Sequence, residues 1–154
     1  MTWTLSGLWV SLCSMCALTA ISNPSGIVLN IPTFIGLCLF IVGFTIEVIA
    51  DYQKTVFRSD PGNKNKFIKS GLWSRSRHPN YFGEIILWFA IALISFSSLN
   101  GTQYLTLISP IFTYLLLVYV SGVRMLEARG DVKWGDNEEY IKYKKETPML
   151  FFKT

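Results

Sequence analysis

"IILWFAIALISFSSLNGTQYLTLISPIFTYLLLVYVSGV", residues 85–123, contains no Lys, Arg, Asp or Glu. A run of that length cannot form a water-facing surface, so the bilayer is its natural solvent. Its one polar interruption, Asn100-Gly101-Thr102-Gln103, reads as a tight turn. Two spans follow, Ile85–Ser98 and Tyr104–Val123, paired as a hairpin with both outer ends on one membrane face. The first can just cross if Tyr81 and Phe82 lead into it, at ~1.5 Å per residue. Working outward, Met1–Ile46 is equally free of charge. "NPSG" at Asn23–Gly26 divides that segment into Leu5–Ile21 and a second span, Ile27–Ala50. The expectation is an all-α fold, a polytopic transmembrane helical bundle. It has four membrane helices plus a cytoplasmic C-terminal helix, in a single membrane domain over 1–154.

The composition agrees. Of 154 residues, 51% are hydrophobic and 16% charged, with a net charge of +4. The charges collect in Asp51–Glu84 and Arg124–Thr154. The first segment carries Lys54, Arg58, Lys64, Lys66, Lys69, Arg75 and Arg77, against Asp51 and Asp60 before Glu84 is reached. The positive-inside rule places both segments in the cytoplasm, where the lysines also attract anionic headgroups. The apolar start lacks a basic leader and a cleavage site, so no cleavable signal peptide is expected. "NGT" at Asn100 matches a glycosylation sequon but lies too close to the membrane to be used. Cys13 and Cys16 have CxxC spacing, yet their neighbours are apolar. They read as packing residues rather than as a redox or metal site. No feature suggests nucleic-acid binding or an internal repeat.

Three sets of polar residues are harder to explain as anchoring. Glu47, Asp51, Lys54 and Arg58, in "EVIADYQKTVFR", are spaced by four, three and four. At about 100° per residue they form one stripe. If the second span continues past Ala50, that stripe runs from the bilayer into the cytoplasm. A self-paired ladder of Asp51 with Lys54 is one account. A carboxylate at Glu47 among Ile46, Val48 and Ile49 favours the other, a functional site. "SRHPNYFGE", residues 76–84, is the second set. Pro79 suits a first helical turn, with His78 just outside it. The free N–H groups of that helix start, beside Arg75, Arg77 and His78, suit a phosphate-bearing ligand. Asn80 and Glu84 follow on one face, with Tyr81 beside them, at a spacing suited to a ribose or an amide. An interfacial anchor with incidental charge is the competing account. The third set is Arg124, Glu127 and Arg129, on the cytoplasmic extension of the fourth span, where a solvated, ion-paired helix also fits. Tyr140 and Tyr143 lie in a later amphipathic segment.

"ADYQKTVFRSDP", "GLWSRSRHPNYFGE" and "WGDNEEYIKYKKETP" together resemble the C-terminal domain of the steroid 5α-reductase-like family, over about Gly43 to Phe151. The resemblance implies a membrane-embedded, NADPH-dependent reductase of a lipid or steroid-like enone, its cofactor held in a helix bundle without a Rossmann domain. By the same resemblance Asp51 and Arg58 are cofactor contacts, as are Asn80 and Glu84. Glu47 stands where the steroid enzymes have an asparagine, and Arg124, Glu127 and Arg129 are candidates from the last cytoplasmic helix. Hydride would pass to the β-carbon of the enone, followed by protonation in a dry pocket. The donor to the enone oxygen is, in the steroid enzymes, a Glu and Tyr of the N-terminal half. No catalytic residue is therefore assigned. The chain would be the cofactor-binding half: a fragment, a degenerate copy, or a split enzyme with a partner subunit supplying N-terminal helices.

"RHPNYFG" is also similar to the motif of the isoprenylcysteine carboxyl methyltransferases and phospholipid methyltransferases, which implies S-adenosylmethionine as the alternative cofactor. The Glu-Glu pair of those enzymes is missing, since "LEAR" carries only Glu127. A non-catalytic membrane subunit is the third reading. The expected setting is a bacterial inner membrane rather than the endoplasmic reticulum, with a hydrophobic small-molecule substrate.

Overall fold

A computed structural model describes residues 2–120 and 122–153. Its elements, in chain order, are helix α1 (Thr2–Ser22), α2 (Ile31–Ser59), α3 (Pro79–Phe96), α4 (Ile108–Leu115), α5 (Val123–Trp134) and α6 (Glu138–Glu146). Short 3-10 turns occupy Pro61–Asn63, Gly71–Ser74 and Gly101–Leu107, and a π turn occupies Leu116–Val120. No strand occurs among the described residues, and the fold is all-α. Among the described residues, three helical stretches are long and apolar enough to cross a membrane: Ile31–Ser59, Pro79–Phe96 and Gly101–Trp134. Gly7–Ser22 is a shorter apolar helix.

α2 carries exposed apolar side chains along most of its length, among them Phe34, Ile41, Val42, Phe44 and Val48. In water such a surface would drive aggregation, whereas lipid solvates it without cost. The helix runs past Ala50 to Ser59, as the stripe from Glu47 to Arg58 requires. The last apolar segment is not one uninterrupted α-helix. It starts as a 3-10 turn, becomes α-helical two residues before Pro110, and loosens into the π turn. Pro110 has no N–H to donate, which the opening turn of a helix tolerates.

The contacts cluster into two compact units. The first comprises 1–43 and 85–116 and packs through small residues. Cys13, Cys16 and Ala20 of α1 are buried, as are Ser109 and Thr113 of α4. The Ser109 hydroxyl donates to the Cys13 carbonyl, and Thr113 Oγ1 donates to Cys13 Sγ at 3.2 Å. The cysteines thus serve the α1–α4 contact, where small side chains let backbones approach and hydroxyls bond across helices. Gly36 of α2 does the same against α3. A Cβ there would lie 2.7 Å from Ile94 Cγ1 and 3.0 Å from the Ala90 carbonyl. A reciprocal amide pair, Asn23 Nδ2 to Gln103 Oε1 at 3.0 Å and Gln103 Nε2 to Asn23 Oδ1 at 2.8 Å, ties the two turns of this unit together.

The second unit comprises 44–84 and 117–154 and is built differently, from aromatic rings and hydrogen-bonded loops. Phe67 meets Trp134, Tyr140 and Tyr143 at ring-centroid distances of 5.9, 5.2 and 5.4 Å. Asn137 caps α6, accepting from Glu139 N at 2.8 Å. Glu138 and Glu139 in its first turn, and Lys144 and Lys145 in its last, complement the helix dipole.

The close approach at Gly36 predicts that Gly36→Val lowers thermal stability in detergent by about 1–3 kcal/mol through overpacking. Gly7→Ala, where a Cβ would meet open space, leaves the melting temperature unchanged or slightly raised.

Candidate functional site

The second unit encloses a cavity of about 400 Å³, within the range of small-molecule sites. Its walls come from the C-terminal end of α2, the loop before α3, and helices α5 and α6. Aromatic residues line it (Phe57, Phe67, Trp73, Trp134, Tyr140, Tyr143), and so do six cations: Lys54, Arg58, Lys64, Lys66, Arg77 and Lys133. Glu127 is the one carboxylate among the lining residues.

The chain builds these walls by pinning a loop. Gly71 opens a 3-10 turn with φ +61°, and a Cβ there would lie 2.6 Å from the Gln53 amide of α2. That space and that φ both call for glycine. Gln53 Oε1 then accepts from Leu72 N at 2.9 Å, and Trp73 Nε1 donates to the Ala50 carbonyl at 3.1 Å. Tyr143 of α6 closes on the same turn, its hydroxyl donating to the Trp73 carbonyl at 2.6 Å. Burial raises the pKa of Tyr143 far above the ordinary phenol value, with Arg77 opposing and Glu127 adding to the effect.

The opening of α3 behaves as its sequence dictates. Pro79 is the first helical residue, and His78 stands outside, its carbonyl accepting from Phe82 N at 3.1 Å. The C-terminal segment, which sequence reasoning missed, holds this loop. Pro148 and Met149 carbonyls accept from Arg77 N (2.9 Å) and His78 N (3.2 Å), and Lys153 N donates to the Arg75 carbonyl at 2.8 Å. The buried Ser76 hydroxyl donates to the Leu150 carbonyl at 2.9 Å. Ser76, His78 and Thr147 are polar yet buried, and such groups need partners.

Glu127 organises the cavity's inner wall. Its carboxylate takes Arg77 Nη1 at 2.7 Å, His78 Nε2 at 2.8 Å and Lys144 Nζ at 3.3 Å. Lys144 bridges on to Asp131 at 2.6 Å. Burial alone would lower the pKa of Lys144, but the hydrogen bond to Asp131 and the charge of Glu127 outweigh it and hold the ammonium above its usual range. His78 is 6% exposed; its Nδ1 and the Nε of Arg77 are buried without a hydrogen-bond partner among the described residues. By contrast Lys54, Arg58, Lys64, Lys66 and Lys133 have no carboxylate within 4 Å among the described residues. Lys54 and Lys133 lie over the faces of Trp73 and Trp134, at 5.5 and 4.8 Å, a contact that steadies a cation without neutralising it.

The residues singled out in the sequence thus fall into two groups and two outliers. Arg58, Arg77, His78 and Glu127 line the cavity. Glu47, Asp51, Asn80, Tyr81 and Glu84 gather on facing turns of α2 and α3. Asn80 Nδ2 donates to Asp51 Oδ1 at 3.2 Å, and Glu84 and Asp51 act electrostatically on both Glu47 and Tyr81. The His78 and Tyr81 rings, 6.0 Å apart, adjoin the two groups. Arg129 is exposed and lines neither, and Arg124 is likewise exposed. Sequence reasoning passed over Lys64, Lys66, Lys133 and the ring cluster around Phe67. A carboxylate-poor basic loop followed by Trp and Tyr at helical spacing was the available signal.

The model of a family described as "Protein of unknown function (DUF1295)" matches residues 1–147. Among curated relatives, a "Probable O-methyltransferase ustE" of Ustilaginoidea virens is 33% identical over 114 residues, covering 64% of this chain and 40% of that protein. A "Steroid 5-alpha-reductase DET2" of Gossypium hirsutum is 36% identical over 62 residues, 40% of this chain and 24% of that one. A "Probable 7-dehydrocholesterol reductase" of Acanthamoeba polyphaga mimivirus is 32% identical over 129 residues, 72% and 27% respectively. The chain therefore spans between a quarter and two fifths of the length of these relatives. No solved structure matches it.

Glu127→Gln strips the carboxylate partner from Arg77, whose side chain is 14% exposed, and is expected to cost about 3 kcal/mol of stability in detergent melts. For Tyr143 the folded pKa lies above the unfolded value, so its contribution is complete below the unfolded pKa of about 10 and is lost as pH rises beyond it. Melting temperature should fall above that pH, and less steeply in Tyr143→Phe.

Proposed function

The chain belongs to the DUF1295 family, steroid 5α-reductase-like membrane proteins, and on that premise we propose that it binds NADPH in the cation-lined cavity and serves a membrane reductase of a lipid or steroid-like enone. One observation carries this reading: five cations with no carboxylate within 4 Å among the described residues surround an aromatic-walled cavity whose single lining carboxylate is already taken by Arg77, His78 and Lys144. A cleft of one sign focuses its field on a ligand of the other. Aromatic walls and positive charge together describe a phosphorylated heterocycle.

The residues fit that group. Arg58, Arg77 and His78, all lining the cavity, hold phosphates through their side chains. Asp51, Asn80, Tyr81, Glu84 and Glu47 offer acceptors and donors to ribose and carboxamide. When bound, NADPH supplies a hydride to an electron-poor carbon. The chain's own contribution is to orient that donor and keep water from it, with Trp73 and Tyr143 sealing the inner wall. His78 Nε2 and Glu127 Oε1 lie in hydrogen-bond contact at 2.8 Å, which fixes the imidazole and leaves Nδ1 as its second polar atom. The reading extends to the setting: the basic loop lies on the cytoplasmic side of a bacterial inner membrane, and the substrate arrives through the lipid.

The 33% identity to a protein named as an O-methyltransferase supports a second reading, with S-adenosylmethionine as the cofactor. That molecule carries a sulfonium and an ammonium against one carboxylate, and a wall of lysines and arginines repels it. Electrostatics therefore favours the dinucleotide.

Thermal shift in a neutral detergent separates these readings. NADPH at about a hundred times its Kd should add about 2.7 kcal/mol, and Arg58→Ala and Arg77→Ala should abolish the gain. A rise with S-adenosylmethionine alone transfers the protein to the methyltransferases, and a rise with neither leaves a non-catalytic membrane subunit.

A further inference from the structure

The cations of the cavity differ in depth. Arg77 sits on the inner wall, its side chain 14% exposed and bound to Glu127, whereas Lys64, Lys66 and Lys133 are exposed at the rim. The rim is nonetheless fixed. Asp60 accepts from Gly62 N at 2.8 Å and from Asn63 Nδ2 at 3.2 Å, and Asn63 Nδ2 also reaches the Phe57 carbonyl at 3.1 Å. Both oxygens of Asp60 are thus spent inside the loop. From α5, Lys133 Nζ donates to the Lys64 carbonyl at 3.3 Å and Trp134 Nε1 donates to the Asn65 carbonyl at 2.8 Å. These bonds bring the Lys133 ammonium beside the backbone that carries Lys64 and Lys66. Phe67, adjoining Trp134 on one side and Tyr143 on the other, marks an aromatic stretch between rim and inner wall. The cavity has two centres of positive charge with rings between them.

Resting on the NADPH reading, we infer that Lys64, Lys66 and Lys133 form a rim that takes the 2′-phosphate and makes the protein select NADPH over NADH. The two dinucleotides share their pyrophosphate and differ at that one group, whose recognition elsewhere also falls to a cation near the ribose. A dianion at the mouth of a cavity suits lysine ammoniums, compact point charges that need no planar fork. The inner group, Arg58, Arg77 and His78, serves the pyrophosphate common to both.

The test titrates purified protein in neutral, lipid-free detergent with NADPH and with NADH, reading tryptophan fluorescence rather than turnover. Wild type should bind NADPH more tightly. Each of Lys64→Gln, Lys66→Gln and Lys133→Gln should weaken NADPH by about tenfold, the size of one charge-assisted hydrogen bond, with NADH unmoved. Retained NADH binding reports an intact fold. Lys69→Gln, whose ammonium pairs with Glu139 away from the cavity, should change neither. Discrimination that survives in the triple variant, or that is absent in wild type, overturns the rim while leaving the cavity as a dinucleotide site; in that case the lysines are attributed to anionic headgroups. Wild type that binds neither dinucleotide overturns both readings.

Discussion

One carboxylate holds the second unit together. Glu127 reaches Arg77 and His78 on the loop before α3 and Lys144 on α6, so three segments distant in sequence meet at one group. Its side chain is 18% exposed, and a charge so placed is tolerable only with partners supplying hydrogen bonds as well as field. The same pairing leaves the cavity positive. With its single lining carboxylate committed to the wall, Arg58 and the facing lysines meet no carboxylate within 4 Å among the described residues. Cohesion of the site and its preference for anions are two sides of one contact.

The two units solve different problems. In the first, lipid offers no hydrophobic reward for bringing helices together, and small residues with bonding hydroxyls take over that task; Gly36, Ser109 and Thr113 sit where backbones come closest. The second unit must hold irregular backbone, and irregular backbone has carbonyls and amides to satisfy. It does so with indoles and phenols that donate to loop carbonyls: Trp73 to Ala50, Trp134 to Asn65, Tyr143 to Trp73. Those rings then become the walls of the cavity.

Much of the fold was legible because its causes are local. Charge-free runs reveal spans and Pro79 marks the start of α3, while the stripe from Glu47 to Arg58 was conditional on α2 continuing past Ala50, which it does. The π turn at Leu116–Val120 was not legible, since Leu, Val and Tyr carry no local instruction to widen a helix. The candidate site was legible in part. Motif residues announce themselves when they are polar in apolar company, as Glu47, Asn80 and Glu84 are, but their sorting into two groups depends on tertiary contacts. Lysines in a basic loop resemble a topology signal, and Lys64 and Lys66 become distinctive only when Lys133 is brought beside them. The tie between residues 148–153 and the loop 75–78 uses main-chain groups, which every residue owns and no sequence pattern advertises.

That tie has a bearing on biogenesis. Arg77 and His78 leave the ribosome long before Pro148 and Met149, whose carbonyls fix them. Throughout that interval α2 and α3 can settle into the bilayer while residues 75–78 still lack the main-chain partners that fix them. Vectorial synthesis thereby imposes an order on assembly: the spans come first, and the cavity is complete only after α6, which carries Tyr140 and Tyr143, has been made.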